Sequence, residues 1–141
     1  MKKIYVDGTF DLLHVGHIQF LKKAKSFGDY LIVGVISGNN VESYKRQPII
    51  PLEDRCTMLT NLKLVDEVIP NCPLGKITKD FIDKYKIDYV VYAGDPKSWN
   101  EHYKVPIEQK KMIYLDYNCN NPSTTKILIE ILNRKNLNIL T

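Results

Sequence analysis

Two histidines three residues apart, His14 and His17, with Gly16 between them, are the groups in this chain best suited to handle phosphate. They close the stretch IYVDGTFDLLHVGH, residues 4–17, which reads as a short apolar strand (Ile4, Tyr5, Val6), a turn at Gly8 and the start of a helix. In a parallel sheet, the loop after a strand's C-terminal end opens onto the crevice where ligands bind. A helix that starts there turns unpaired N–H groups and the positive end of its dipole toward anions. Imidazoles at i and i+3 add donors for phosphate oxygens, and Gly16 lets a phosphate approach the backbone. The order strand, turn, paired histidines, helix suggests a nucleotide site; the plainer alternative is a satisfied histidine pair in an ordinary loop.

Elements that would position such a site are legible along the chain. Strand and helix signals alternate from end to end, the pattern of an α/β domain: a Rossmann-like, parallel five-stranded sheet with helices on both faces. After the first strand, residues 18–27 make a helix ended by Gly28, and YLIVGV, residues 30–35, makes a strand apolar enough to be covered on both faces. SGNNVESYKRQPIIP, residues 37–51, is a long loop with Lys45 and Arg46 at its centre, either a solvated basic tip or a functional segment. A helix over 52–63 puts Leu52, Cys56, Leu59 and Leu62 on one face, and VDEVIP, residues 65–70, supplies a third strand. Residues 78–85 form a helix with Phe81, Ile82 and Tyr85 inward, and residues 88–93 form a fourth strand, followed by Gly94 and Asp95. Residues 96–106 are read as irregular; they hold Trp99, His102 and Tyr103, and His102 alone is too weak a signal for a ligand. Residues 112–115 are a fifth strand, and the closing helix takes Ser123 as its N-cap and buries Ile127, Leu128, Ile131 and Leu132.

Composition sets the outer bounds. A chain of 141 residues, 44% hydrophobic and 26% charged, is expected to form one domain over 1–141. The net charge of +4 arises from 20 Lys+Arg against 16 Asp+Glu without a long basic run. That fits a polyanionic nucleotide better than a nucleic-acid groove. Cys56, Cys72 and Cys119 are odd in number and lack zinc spacing, so reduced thiols are expected. MKKIYVDG has no apolar leader and no long apolar run follows, so the expectation is a cytoplasmic protein that neither enters nor spans a membrane.

GTFDLLHVGH resembles the GxFDxxHxGH signature of the cytidylyltransferase family, whose members join CTP to a phosphorylated alcohol and release pyrophosphate. The likeness runs from Ile4 to about Ile131. It implies that His14 and His17 contact α- and β-phosphate oxygens, and that Gly8, Thr9, Phe10 and Gly16 seat the nucleotide through backbone. By the same likeness Asp11 either anchors the turn or helps place a metal. KRQPIIPLEDR is similar to the family's lysine-to-arginine segment. That places Lys45 with the catalytic groups and Arg46 and Arg55 on the nucleotide, though Arg55 has an ordinary surface helix position as its alternative. In the VDEV segment, tied in the family to a homodimer interface, the family's arginine is Lys63, which keeps the charge and loses the bidentate fork. PSTTKI is similar to the end of the family's RTEGISTTKI, which implies that Ser123 and Thr124 bind the triphosphate; the arginine of that segment falls at Asn118. Asp95 carries over from the family's Gly-Asp-Asp and could hold a cationic substrate, a ribose hydroxyl or an ordered loop; the residues themselves leave Trp99 either as part of a cation–π box for the substrate or as a ring that pins its loop.

The implied reaction is in-line attack by an acceptor phosphate oxygen on the α-phosphorus of CTP, with Mg²⁺ on the triphosphate. Phosphoethanolamine or phosphocholine is the expected acceptor, with glycerol 3-phosphate as the alternative; Leu74, where choline enzymes often carry tryptophan, argues against choline. AMP transfer and a non-catalytic nucleotide binder are the other readings. A homodimer is expected. Without a basic amphipathic extension after NRKNLNIL, no membrane or nucleic-acid partner is expected.

Overall fold

The structure is a computed structural model and describes residues 1–38, 47–116 and 123–137. Lys45, Arg46, Asn118 and Cys119 lie outside the described residues.

Five strands, β1 (Lys3–Gly8), β2 (Tyr30–Val35), β3 (Glu67–Pro70), β4 (Tyr89–Ala93) and β5 (Met112–Leu115), form one parallel sheet in the order β3-β2-β1-β4-β5. Register is set by β1, with Lys3 opposite Tyr30 and Ile4 opposite Tyr89. Alternation along β1 divides the core. Ile4 and Val6 pack with Leu31, Val33, Leu59 and Val91 on one face, whereas Tyr5 packs with Ile32, Ile77, Ile82 and Val90 on the other. Helices α1 (Val15–Lys25) and α2 (Leu52–Thr60) cover the first face through Leu21, Ala24 and Leu59; α3 (Lys79–Tyr85) covers the second through Ile82. Because the chain leaves β1 toward β2 on one side and returns to β4 on the other, the strand order reverses between β1 and β4. A crevice opens there at the strands' C-terminal ends.

The expected elements are present, with shifted boundaries. α1 begins at Val15 rather than at residue 18, because His14 serves as its N-cap in extended backbone. α2 stops at Thr60 instead of residue 63, and β3 begins at Glu67 instead of residue 65. Within the segment read as irregular, a short helix α4 (Lys104–Glu108) forms; Pro106 is tolerated because it sits in the first turn, where an N–H has no intrahelical partner. The closing helix α5 (Thr124–Asn136) has the expected Ser123 cap but buries no residue. Ile127 and Leu128 are half-buried, while Ile131 and Leu132 are 43% and 58% exposed. Its apolar stripe therefore exceeds what the sheet covers.

Cys56 and Cys72 are free thiols. Burial, with Asp7 nearby, pushes the Cys72 thiol up to about 12, so it fills the core as a protonated group. Among the described residues no helix is long and apolar enough to cross a membrane.

Candidate active site

The crevice at the β1/β4 switch is a cleft of about 660 Å³ lined from three directions. The motif supplies Gly8, Thr9, Phe10, His14, Gly16 and His17; the ends of β4 and β5 supply residues including Tyr92 and Asp116; and the start of α5 supplies Ser123 and Thr124.

The turn after β1 owes its shape to Phe10 and Leu12, at φ of 52° and 49°, rather than to Gly8. Gly8 is the last residue of β1, and a Cβ there would come 3.1 Å from the Phe10 ring; the glycine is needed to receive that ring. Two left-handed non-glycine residues flanking Asp11 store strain, and such residues cluster at functional turns.

What holds this turn is a set of buried side-chain bonds to backbone. Asp11, 5% exposed, accepts from the N–H groups of Ile49 and Ile50 at 2.8 and 3.0 Å. Of the two roles expected for Asp11, the geometry is that of the anchor. Arg55, 2% exposed, donates from Nε to the Ile50 carbonyl at 2.8 Å, from Nη1 to those of Thr9 and Ile36 at 2.8 and 2.7 Å, and from Nη2 to Ser37 at 3.0 Å. Arg55 is thus neither a surface residue nor part of the cleft lining. Its planar fork gathers carbonyls from the motif, the end of β2 and the approach to α2.

His14 and His17 cap α1 reciprocally. The Gly16 N–H donates to His14 Nδ1 at 3.0 Å, and the His14 N–H donates to His17 Nδ1 at 3.1 Å. This is a capping box with imidazoles in both roles. Because each Nδ1 accepts, each neutral ring carries its proton on Nε2. Neither Nε2 has a partner among the described residues, so both are donors for a ligand. The rings lie 3.9 Å apart, inclined at 34°. Burial lowers the His14 pKa, and burial followed by proximity to His14 brings His17 to about 4, against the opposing pull of Asp11. Both rings are neutral at pH 7 in the free protein.

A second helix start faces the same space. Ser123 caps α5 by accepting from the Lys126 N–H at 3.1 Å, and Thr124 Oγ1 donates to the Asp11 carbonyl at 2.7 Å. The positive ends of α1 and α5 therefore converge on the cleft. Thr9 Oγ1, buried and without a hydrogen-bond partner among the described residues, adds a further polar group. Arrayed donors with no covalent nucleophile suit the binding and alignment of a polyphosphate.

The remaining sequence-implied residues are not brought to the cleft. Lys63 is exposed ahead of the N-terminal end of edge strand β3, away from the strand ends that form the cleft. Asp95 is exposed and accepts from the Lys97 N–H at 2.9 Å, closing a turn after β4. Trp99 is 41% exposed and outside the cleft lining, edge-on to His102 at 6.4 Å, which is the placement of the loop-pinning alternative.

Sequence reasoning missed Asp7. It borders the cleft with its side chain 4% exposed, and accepts from His102 Nε2 at 2.6 Å and from the Tyr103 hydroxyl at 2.8 Å. His102, equally buried, accepts at Nδ1 from the Gly75 N–H at 3.1 Å. These partners lie 95 and 96 residues from Asp7, and no local pattern links them.

Known proteins resemble the chain along most of its length. Residues 5–129 match the family described as Cytidylyltransferase-like. The chain is 43% identical over 98 residues to an ethanolamine-phosphate cytidylyltransferase of Arabidopsis thaliana; the match takes in 67% of the chain but only 23% of that protein. It is 37% identical over 131 residues to the glycerol-3-phosphate cytidylyltransferase of Bacillus subtilis, covering 93% of the chain and 98% of that protein. It is also 37% identical over 138 residues to an FAD synthase of Thermococcus onnurineus, covering 92% and 91%. Among solved structures, a lipopolysaccharide core biosynthesis protein from Thermoplasma volcanium superposes with a TM-score of 0.66 at 25% identity, over 84% of the chain and 99% of that protein. With the motif, the switch-point cleft and the paired histidines in place, the chain belongs to the cytidylyltransferase-like family.

Proposed function

We propose that the protein transfers CMP from CTP to a phosphorylated amino alcohol, phosphoethanolamine foremost, with release of pyrophosphate. The observation that carries the reaction type is the histidine-capped start of α1, with two neutral Nε2–H donors on cleft-lining residues beside a second helix start. An acceptor phosphate oxygen attacks the α-phosphorus in line while the pyrophosphate oxygen departs. Charge growing on the oxygens around phosphorus is met by the His14 and His17 donors and by the backbone of Thr9 and Phe10. Lys45 and Arg46 are proposed to act on the same phosphates. The donor set fits a nucleotide that brings its own Mg²⁺, which would be held by phosphate oxygens and water and would neutralise the triphosphate.

Asp7 supports an acceptor with a cationic end. It is a carboxylate at the cleft with no lysine or arginine paired to it among the described residues, and a bound ammonium would compensate it. The ethanolamine-phosphate relatives agree with this choice. The cytoplasm and a homodimer remain part of the proposal.

The test is pyrophosphate release from CTP or ATP with phosphoethanolamine, phosphocholine, glycerol 3-phosphate and flavin mononucleotide in turn. Release with CTP and phosphoethanolamine is expected. Release with glycerol 3-phosphate alone would remove the role of Asp7, and release only with ATP and flavin mononucleotide would overturn the assignment.

A further inference from the structure

We propose that His102 is a positioning residue that keeps the Asp7 carboxylate fixed yet uncompensated, so that the acceptor end of the cleft selects a primary ammonium group. The inference rests on the reaction proposed above.

The tautomer follows from the hydrogen bonds. His102 Nδ1 accepts the Gly75 N–H at 3.1 Å, so Nδ1 presents a lone pair and the ring proton lies on Nε2, directed to Asp7 Oδ2 at 2.6 Å. A doubly protonated ring would set two N–H groups against each other at Gly75. The donor facing Nδ1 is a main-chain group, which fixes the ring's protonation pattern more firmly than a rotatable hydroxyl would. Gly75 presents it from backbone at φ 95°, a region suited to glycine, and the Ile77 N–H donates to the His102 carbonyl at 2.9 Å. The loop after β3 is thereby latched to the segment before α4 through both the ring and the backbone of His102.

Asp7 receives a second neutral donor from Tyr103 at 2.8 Å. Both bonds fix the orientation of the carboxylate, and neither cancels its charge. A carboxylate has about four acceptor sites, so two remain for a ligand. A primary ammonium can donate into them. A quaternary one cannot, and depends instead on aromatic faces; Trp99, the aromatic suited to that task, stands edge-on behind His102 outside the cleft lining. The groups facing the His102 ring are Asp7 from β1, the adjacent Tyr103 and the Trp99 ring, with Gly75 on the loop.

The test joins spectroscopy to kinetics. Long-range ¹⁵N–¹H spectra of histidine-labelled protein at pH 7 should show His102 as the neutral Nε2–H tautomer. His102→Leu should raise KM for phosphoethanolamine about tenfold or more, as expected for losing a hydrogen bond to a buried charge, with CTP KM and kcat within about twofold. His102→Gln, able to donate to Asp7 without charge, should recover most of the loss, whereas His102→Asn, too short to reach, should not. The Asn variant also serves if the Leu variant does not fold, as judged by CTP affinity. An Nδ1–H or imidazolium signal in an enzyme that uses phosphoethanolamine overturns the role of His102 alone. Equal rises in both KM values, or none, overturn it as well. An Nε2–H signal in a protein that does not turn over phosphoethanolamine overturns the proposed reaction and the ammonium with it.

Discussion

His14 combines two tasks that ordinary N-caps keep apart, and a pair of substitutions can separate them. Its Nδ1 accepts the Gly16 N–H at 3.0 Å, while its Nε2–H is left for ligand. Asparagine places an acceptor near the Nδ1 position and is among the best N-caps, so His14→Asn should keep the cap and remove the donor. His14→Ala removes both. Losing the cap costs about 1 kcal/mol. For 141 residues, unfolding entropy is about 0.3 kcal/mol/K, which converts that cost to a fall in Tm of about 3 °C. Losing a preorganised donor to the transition state costs about 2.7–4 kcal/mol, or 10²–10³ in kcat. Calorimetric melts of the three proteins, read beside pyrophosphate release at saturating CTP and phosphoethanolamine, give both quantities. The Asn variant should melt within about 1 °C of the parent and turn over about a hundredfold or more slower; the Ala variant should be as slow and also melt lower. An Asn variant with near-parental turnover would refute the catalytic role, and one as unstable as Ala would refute the cap.

The histidine environment makes two further predictions. An unfolded histidine titrates near 6.5 and His17 in the fold at about 4, so between those values the unfolded chain binds more protons. Stability should fall as pH drops through that window, and His17→Gln, which retains a box-forming residue at N3, should flatten the slope in denaturant melts at pH 4.5 and 7.5. Since both rings are neutral when free and each Nδ1 accepts a main-chain N–H that a second ring proton would oppose, CTP binding at pH 7 should leave both histidines neutral; calorimetry in buffers of different ionisation enthalpy reads the uptake, and a proton taken up in the parent but not in His14→Asn would contradict the assigned tautomers. Arg55→Lys keeps the charge but abandons the fork over Thr9, Ile36, Ser37 and Ile50, and should cost about 2–4 kcal/mol in urea unfolding; a loss below about 1 kcal/mol would show the fork to be dispensable. At Gly34 a Cβ would overlap the Tyr5 hydroxyl and come 2.9 Å from Cys72 Cβ, so Gly34→Ala should destabilise by about 1–3 kcal/mol, an expectation that an unshifted melt would reject.

Much of this was legible because neighbouring residues carried it. The unbroken apolar run of β2 could only be a strand covered on both faces, and its bounds agree with residues 30–35. The motif announced the cleft because its turn, glycine and histidines lie within one stretch of 14 residues, 4–17. The start of α1 was misplaced because familiar caps are hydroxyls and carboxamides, whereas here an imidazole does that work. Apolar periodicity in α5 showed which side can be buried but not how far a neighbour extends over it. Arg55 spends its donors on backbone carbonyls, which have no side-chain signature, so its helix position gave no sign of burial. Asp7 and His102 meet only through the topology, since β1 borders β4 and the segment after β4 folds back over its end.

The bond from Thr124 to the Asp11 carbonyl spans 113 residues and bears on the order in which the molecule is completed. All five strands lie before residue 116, so the sheet can form during synthesis while the phosphate-facing wall from Ser123 and Thr124 is still missing. The fold precedes the site. The last helix arrives with no fully buried side chain, and its seat against the motif is made by its first turn. A nucleotide that binds only the finished cleft acts as an additional fastening for that helix, adding about 2.7 kcal/mol at a hundred times its Kd. A triphosphate bound there as proposed would thus also hold α5 against the motif.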